Sequence, residues 1–566
     1  MTSGENPLIS EDYADLLIDY SGDLALLEPF KNNPVTIINS VAAVVNIPAG
    51  QFTNNIIMEF GYAAIPSLLG QVSSTGLESS GILRLRNIPN FNLIGQGVLI
   101  AIIDSGVDYT NPIFQNADKT TRIVSIWDQT IQSATPSSGV PFGTVYSRDQ
   151  INQALQSEDP YQIVPSRDEN GHGTMVAGIA GGNAVPESNF AGVATGAEFI
   201  VVKLKQAKKI LRNFFFIPDN AVCYQETDML FGLQYVLNTA LALNSPMVIC
   251  VSISTSQSSH DGRGLTSSFL STVATRIGTG VVVAAGNEGN ARRHYFGTVD
   301  QTTRFNTVEL NVGENEKGFS MELWGQSPSI FTVDILSPSG EYIPRIAVTR
   351  NETREISFVF EPTIIYIDNR IVESESGDQL ILMRFSNPTP GIWRLRVYER
   401  GDLNLGFHIW LPMSGFISDN TFFIRSDPYT TILAFGNSLV PVTVTAYNDA
   451  DDSLFIEASR GYTRIGVVKP NVAAPGVDIT GPTLDKGFTG FTGTSVAAAH
   501  TTGVVAMLLE WGITKQNLLG MSTIEINKLI MRGARRTVGV EYPNRDWGFG
   551  ILDIYNIYDS LRLGAF

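Results

Sequence analysis

Three short stretches hold a serine, a histidine and an aspartate at places where each could serve acyl transfer. Ser495 stands in GFTGTSVAAAHTTGVVAM, residues 490–507, where a glycine-rich turn runs into an apolar helix. A helix N-terminus presents unpaired N–H groups and the positive end of a dipole, so a hydroxyl there lies beside donors able to hold an oxyanion. Taken alone, such a serine reads as an N-cap or a core hydroxyl, so the case for a nucleophile depends on partners elsewhere. Asp104 ends the apolar run in GVLIAIIDSGVD, residues 97–108. That run reads as a buried parallel strand with the acid at its C-terminal end, the edge where open α/β sheets gather reactive groups. His172 lies between two glycines in NGHGTMVAGIAGG, residues 170–182, and is one of only five histidines in the chain. Singly, Asp104 could cap a helix and His172 could be a satisfied turn residue. Together the three types make a nucleophile, its base and an acid to orient the base.

The boxes DSG, NGHGT and GTS, in that order, resemble the active-site boxes of the subtilisin-like serine proteases, peptidase family S8. The resemblance implies that Asp104 orients His172, that His172 is general base and then general acid, and that Ser495 attacks the scissile carbonyl. VVVAAGNEGN, residues 281–290, resembles the family's AAGN box and implies Asn287 as the side-chain donor of the oxyanion hole. The substrate-binding strand implied is VICVSIST, with Ser252, Ile253, Ser254 and Thr255 along the cleft. The family commonly carries glycines at the last two positions; Ser254 and Thr255 imply a narrower cleft and few substrates. Ala499 stands where the family has a proline. Ile113 stands where many members have a calcium-binding aspartate, so no metal is expected, and no cofactor.

Around these boxes, residues 97–293 alternate apolar strands with helices of small residues, the pattern of right-handed βαβ crossovers. Residues 1–71 read as a small α/β unit with strands at ADLLIDY, VTIINSVAAVVNI and NNIIMEFGYAAI. In the resembled family a unit of this kind is a prodomain, chaperone and temporary inhibitor of the protease. Self-cleavage is then expected at Gly70, Gln71 and Val72. From 294 to 425 short strands separated by turn signals such as SPSG and NPTPG indicate an inserted antiparallel jelly roll. Trp393, Trp410 and Tyr398 in it read as core aromatics before they read as a ligand face. The expected fold is therefore α/β: a subtilisin-like parallel sheet flanked by helices in two parts, 72–293 and 426–566, with a small α/β prodomain and an inserted jelly roll.

The 566 residues are 43% hydrophobic and carry a net charge of −17. That charge argues against nucleic acid or an anionic membrane surface as partner. No apolar run in the sequence approaches the roughly 18 residues of a membrane span. The acidic N-terminus lacks the basic and apolar regions of a secretory signal. An intracellular or spore-associated location is the expectation, with a protein substrate and the chain's own prodomain as partners. Cys223 and Cys250 suggest no disulfide framework. Insertion, prodomain-like start and the GTSVAAAH variant are most similar to the clostridial Csp-type germination proteases. In those the substrate is the precursor of a spore cortex-lytic enzyme, cut once. Two other readings remain: a regulatory pseudoprotease held shut by its prodomain, and a broad-specificity intracellular protease.

Overall fold

The computed structural model describes residues 6–71, 93–133, 139–346, 351–401 and 403–562. Its centre is a nine-stranded sheet. From one edge the strands run Ser453–Leu454, Val442–Asn448, Thr279–Ala284, Met247–Val251, Leu99–Asp104, Glu198–Lys203, Ile123–Asp128 and Thr144–Ser147, with Val472–Pro475 also paired to Val442–Asn448. The inner pairs are parallel, and only the short outer pairs are antiparallel.

A parallel sheet must be covered on both faces, so its strands are apolar throughout. Leu99–Asp104 illustrates this: Ile100 and Ile102 enter one core with Val176 and Val505, while Leu99, Ala101 and Ile103 enter the other with Met229 and Leu270. The helices His172–Gly181 and Thr494–Leu509 lie in the first core and are buried at every residue. Small side chains permit that depth, because no bulky face has to be turned to water. The second core is closed by Glu226–Ala242 and Leu265–Ala274. Contrary to the expectation that no apolar run approaches a membrane span, one stretch among the described residues, Thr494–Thr514, has that length and apolarity; 89% of its apolar window is buried inside the protein.

Residues 6–71 form a three-stranded antiparallel sheet, in the order Tyr13–Asp19, Ala42–Pro48, Val35–Ile37. The strand expected across NNIIMEF is instead a helix, Ile56–Phe60. Ile56, Ile57 and Phe60 pack inward at helical spacing, and Gly61, at φ 88°, ends the turn.

Strands from His294–Gly297 to Phe422–Phe423 build two antiparallel sheets, of six and five strands. Their facing sides share one core, in which Phe319, Met383 and Phe385 of the first meet Leu310, Val333 and Trp393 of the second. Trp393 and Trp410 are buried, and the Tyr398 hydroxyl donates to Asp334. A further cluster spans all three parts of the chain: Leu16 and Ile57, Phe214 and Leu433, Trp324 and Met413.

The buried Arg122 guanidinium donates to the carbonyls of Ile113, Gly181, Thr195 and Ala197, at 2.6–2.8 Å. Burial lowers its pKa to about 10.

Candidate active site

Asp104 ends its strand at the C-terminal edge of the sheet, and the helix beginning at His172 crosses directly above it. The approach is close: a Cβ on Gly173 would stand 2.1 Å from the Gly106 carbonyl oxygen, so only glycine fits there. Gly171 precedes the helix at φ 89°, in the left-handed region that glycine adopts without strain.

His172 Nδ1 lies 2.8 Å from both Asp104 carboxylate oxygens, and Nε2 lies 3.4 Å from Ser495 Oγ. An Nδ1–H directed at the carboxylate leaves Nε2 to accept the serine proton. Asp104 is fully buried; it also accepts from the Ser252 hydroxyl at 2.7 Å, the Ser105 N–H at 2.7 Å and, at greater length, the Gln71 side-chain N–H at 3.4 Å. Burial pushes the Asp104 pKa up, but the His172 charge and the hydrogen bonds of His172, Ser252 and Ser105 outweigh it and hold the carboxyl below its ordinary value. Ser495 is the second residue of the helix Thr494–Leu509, which begins after Gly493.

Asn287 is brought to the same place. Its side-chain oxygen accepts from the Thr494 N–H and hydroxyl, each at 3.1 Å. The carboxamide is thereby fixed with its NH₂ group on the side away from Thr494. A carbonyl oxygen held between that group and the Ser495 N–H would receive two donors.

Residues Leu68–Gln71 lie as a strand in this cleft. Gly70 and Gln71 pair antiparallel with Ser254 and Ile253, while Leu68 and Leu69 pair with Gln225 and Tyr224 on the other side. The Ser67 N–H donates to Glu226 and the Leu68 N–H to Gln257. Gln71 reaches the reacting groups: its side-chain nitrogen is 3.4 Å from Asp104, and it lines with His172 a cleft of about 740 Å³. The hairpin of Ile479–Pro482 and Phe488–Phe491 forms the far wall. Val72 lies outside the described residues.

The side chains expected along the cleft face elsewhere. Ser252 serves Asp104, the Ser254 hydroxyl accepts from Phe435 N–H, and the Thr255 hydroxyl accepts from Gln257 N–H. Other residues, which no short motif marks, hold the strand in the cleft. Glu226 and Gln257 hold the strand backbone. Met413 and Phe416, from the inserted sheets, pack over Gly70. Asp15 is the deepest anchor of the N-terminal unit, accepting from Lys208 at 2.6 Å, Gln225 at 2.7 Å and Asn46 at 2.6 Å. Only its burial beside a basic residue two hundred positions away marks it, and no short motif carries that. Among the described residues no group of acids, histidines or cysteines has the arrangement of a metal site. Cys223 and Cys250 are free and buried.

The profile of the subtilase family (Peptidase_S8) matches residues 95–312 and 426–550. The solved structure of the Clostridium perfringens CspB protease is similar over 85% of this chain and 96% of its own, with 30% identity and a TM-score of 0.76. Among curated proteins, subtilisin-like protease SBT3.7 of Arabidopsis thaliana is 24% identical over 480 residues, and a C5a peptidase of Streptococcus pyogenes serotype M18 is 23% identical over 501. The alignments span 57% of the plant protein and 40% of the streptococcal one, so this chain matches about half the length of these relatives. Matched by the family profile over most of its length, the chain belongs to the subtilase family of serine peptidases.

Proposed function

We propose that the protein is a serine endopeptidase made as a zymogen, in which Ser495 attacks a peptide carbonyl while His172 Nε2 takes the hydroxyl proton. His172 then returns that proton to the departing amine, and water releases the acyl group by the same route in reverse. Asp104 holds the imidazole with Nδ1 protonated and stabilises its charged form. Asn287 and the Ser495 N–H hold the oxyanion. A 3.4 Å approach of His172 to Ser495 is compatible with this role, since such bonds tighten when substrate is bound.

The observation that carries the reading is the Leu68–Gln71 strand, which ends beside His172 in register with Ile253 and Ser254. It lies as a peptide about to be cut would lie, and the bond it offers is Gln71–Val72. In this reading residues 1–71 are the prodomain, 294–425 the inserted jelly roll, and the remainder the protease. The external substrate is one or a few protein precursors cut at a single place. A spore cortex-lytic precursor during germination, in an intracellular or spore-associated setting, is the candidate that the Csp-type resemblance supplies.

A second reading, a regulatory protein held shut by its prodomain, is favoured by the same strand and by the buried Lys208–Asp15 pair that ties it down. Intact mass and N-terminal sequence of wild type beside Ser495→Ala separate the two. Division after Gln71 in the wild type alone supports the enzyme. Two chains that both stay at 61.6 kDa, with no fluorophosphonate labelling of Ser495, support the regulator.

A further inference from the structure

Gly70 is the one residue of the cleft-bound strand without a side chain, and its backbone does not require that. It lies within the strand Leu68–Gln71 and is not among the glycines of positive φ, so any residue could take its conformation. Space is what disfavours them. A Cβ at Gly70 would stand 3.0 Å from both Sδ and Cε of Met413 and 3.2 Å from Cζ of Phe416. Real Cβ atoms rarely come so near another group, and every heavier side chain would have to extend through the same two residues.

Both blocking residues come from the inserted sheets, in the segment between Phe407–Trp410 and Phe422–Phe423. They are themselves buried, at 2% and 5% exposure, in the cluster that includes Leu68, Trp324, Trp410 and Leu433. Their segment is also tied to the protease. The Ser414 N–H donates to Glu288 at 2.9 Å, and Arg293 Nη1 donates to the Ser414 hydroxyl at 2.5 Å and lies 3.3 Å from Glu288. Glu288 is the neighbour of Asn287. The wall over Gly70 is thus tied to the residue that follows Asn287.

We infer that Met413 and Phe416 form a specificity subsite that selects glycine at the second residue before the cut, so that protein substrates presenting glycine there are cut fastest. This rests on the reading that the chain divides at Gln71–Val72. Met413 is the more pliable of the pair, so alanine is the mildest intruder and a branched side chain is refused outright.

The test follows division of the full-length chain during cell-free synthesis, by intact mass and by N-terminal sequence of the new fragment. Gly70→Ala is expected to slow division on the order of 10- to 200-fold, the discrimination one methyl-sized group commands in a close pocket. Gly70→Val is expected to leave the chain whole. Adding Met413→Ala to either variant opens the space and restores division at least tenfold. Folding is measured separately as thermal melting of each variant in the Ser495→Ala background; should Gly70→Val not fold, the Gly70→Ala pair decides by the same criteria. Wild-type division rates in the Gly70 variants overturn the inference, as does a folded variant that Met413→Ala does not restore. A wild type that divides at another bond overturns instead the placement of the cut, and its fragment masses report this directly.

Discussion

The Tyr62 hydroxyl donates to the Glu322 carboxylate at 2.6 Å, so the N-terminal unit and the inserted sheets share one buried hydrogen bond. Trp324 donates to the second carboxylate oxygen at 3.1 Å. Burial raises the Glu322 pKa to about 7, against the lowering effect of the hydrogen bonds from Tyr62 and Trp324.

That position makes stability depend on pH in a stated direction. The folded chain keeps the Glu322 proton up to about 7, whereas an unfolded glutamate releases it near 4.3. The contribution is complete below the unfolded value and is lost as pH rises through the folded one. Glu322→Gln, which still accepts from Tyr62, removes the loss. Its stability relative to wild type is expected to improve by about 3 kcal/mol between pH 4 and pH 8. Urea unfolding of both proteins at the two pH values checks this, with Ser495→Ala in both to keep the chains whole.

The Lys208–Asp15 pair is buried on both sides, at 2% and 1% side-chain exposure. Lys208→Met strands the carboxylate and is expected to cost about 3–5 kcal/mol, read by urea unfolding. Adding Asp15→Asn removes the unpaired charge and should return part of that loss. A double variant no better than the single one would mean that the charge is not what the site requires.

Asn287→Ala is expected to slow self-division roughly 10²- to 10³-fold without altering the melting temperature by more than a few degrees. The magnitude is the one measured for such a donor in subtilisin, a member of the same family. Time courses of division from cell-free synthesis give the rate.

Ser252→Ala removes a hydrogen bond to a buried carboxylate, an interaction worth about 1.5–3 kcal/mol. Division should slow at least tenfold. Because the Ser252 bond is one of those holding the Asp104 pKa down, the acid limb of the pH–rate profile should move upward. A slower enzyme with an unmoved profile would assign Ser252 to packing.

Local sequence carried the chemistry of this molecule because each reacting group sits in its own short box. DSG at a strand end, NGHGT and GTS at two helix starts are readable within a dozen residues. Alternating apolar strands and small-residue helices carried the parallel sheet for the same reason. The strand assigned to NNIIMEF failed because adjacent isoleucines fit either period, and burial against Phe214 and Trp324 settled the matter from outside the segment. Glu226, Gln257, Met413 and Phe416 were out of reach in a different way. Each meets residues 67–70 across some 160 to 350 positions of chain, and nothing near them in sequence announces the meeting.

Arg122 joins the turn at Ile113, the helix end at Gly181 and the segment Thr195–Ala197 through its four carbonyl acceptors. A positive centre that gathers oxygens from separate segments does the work of a bound ion, yet this one is attached to the backbone by its own side chain. Its occupancy is settled at the ribosome: it cannot dissociate, be competed for or be stripped by a chelator. What closes this junction is therefore made with the chain itself, and no dissolved cation can take its place among these four oxygens without displacing a covalently attached side chain.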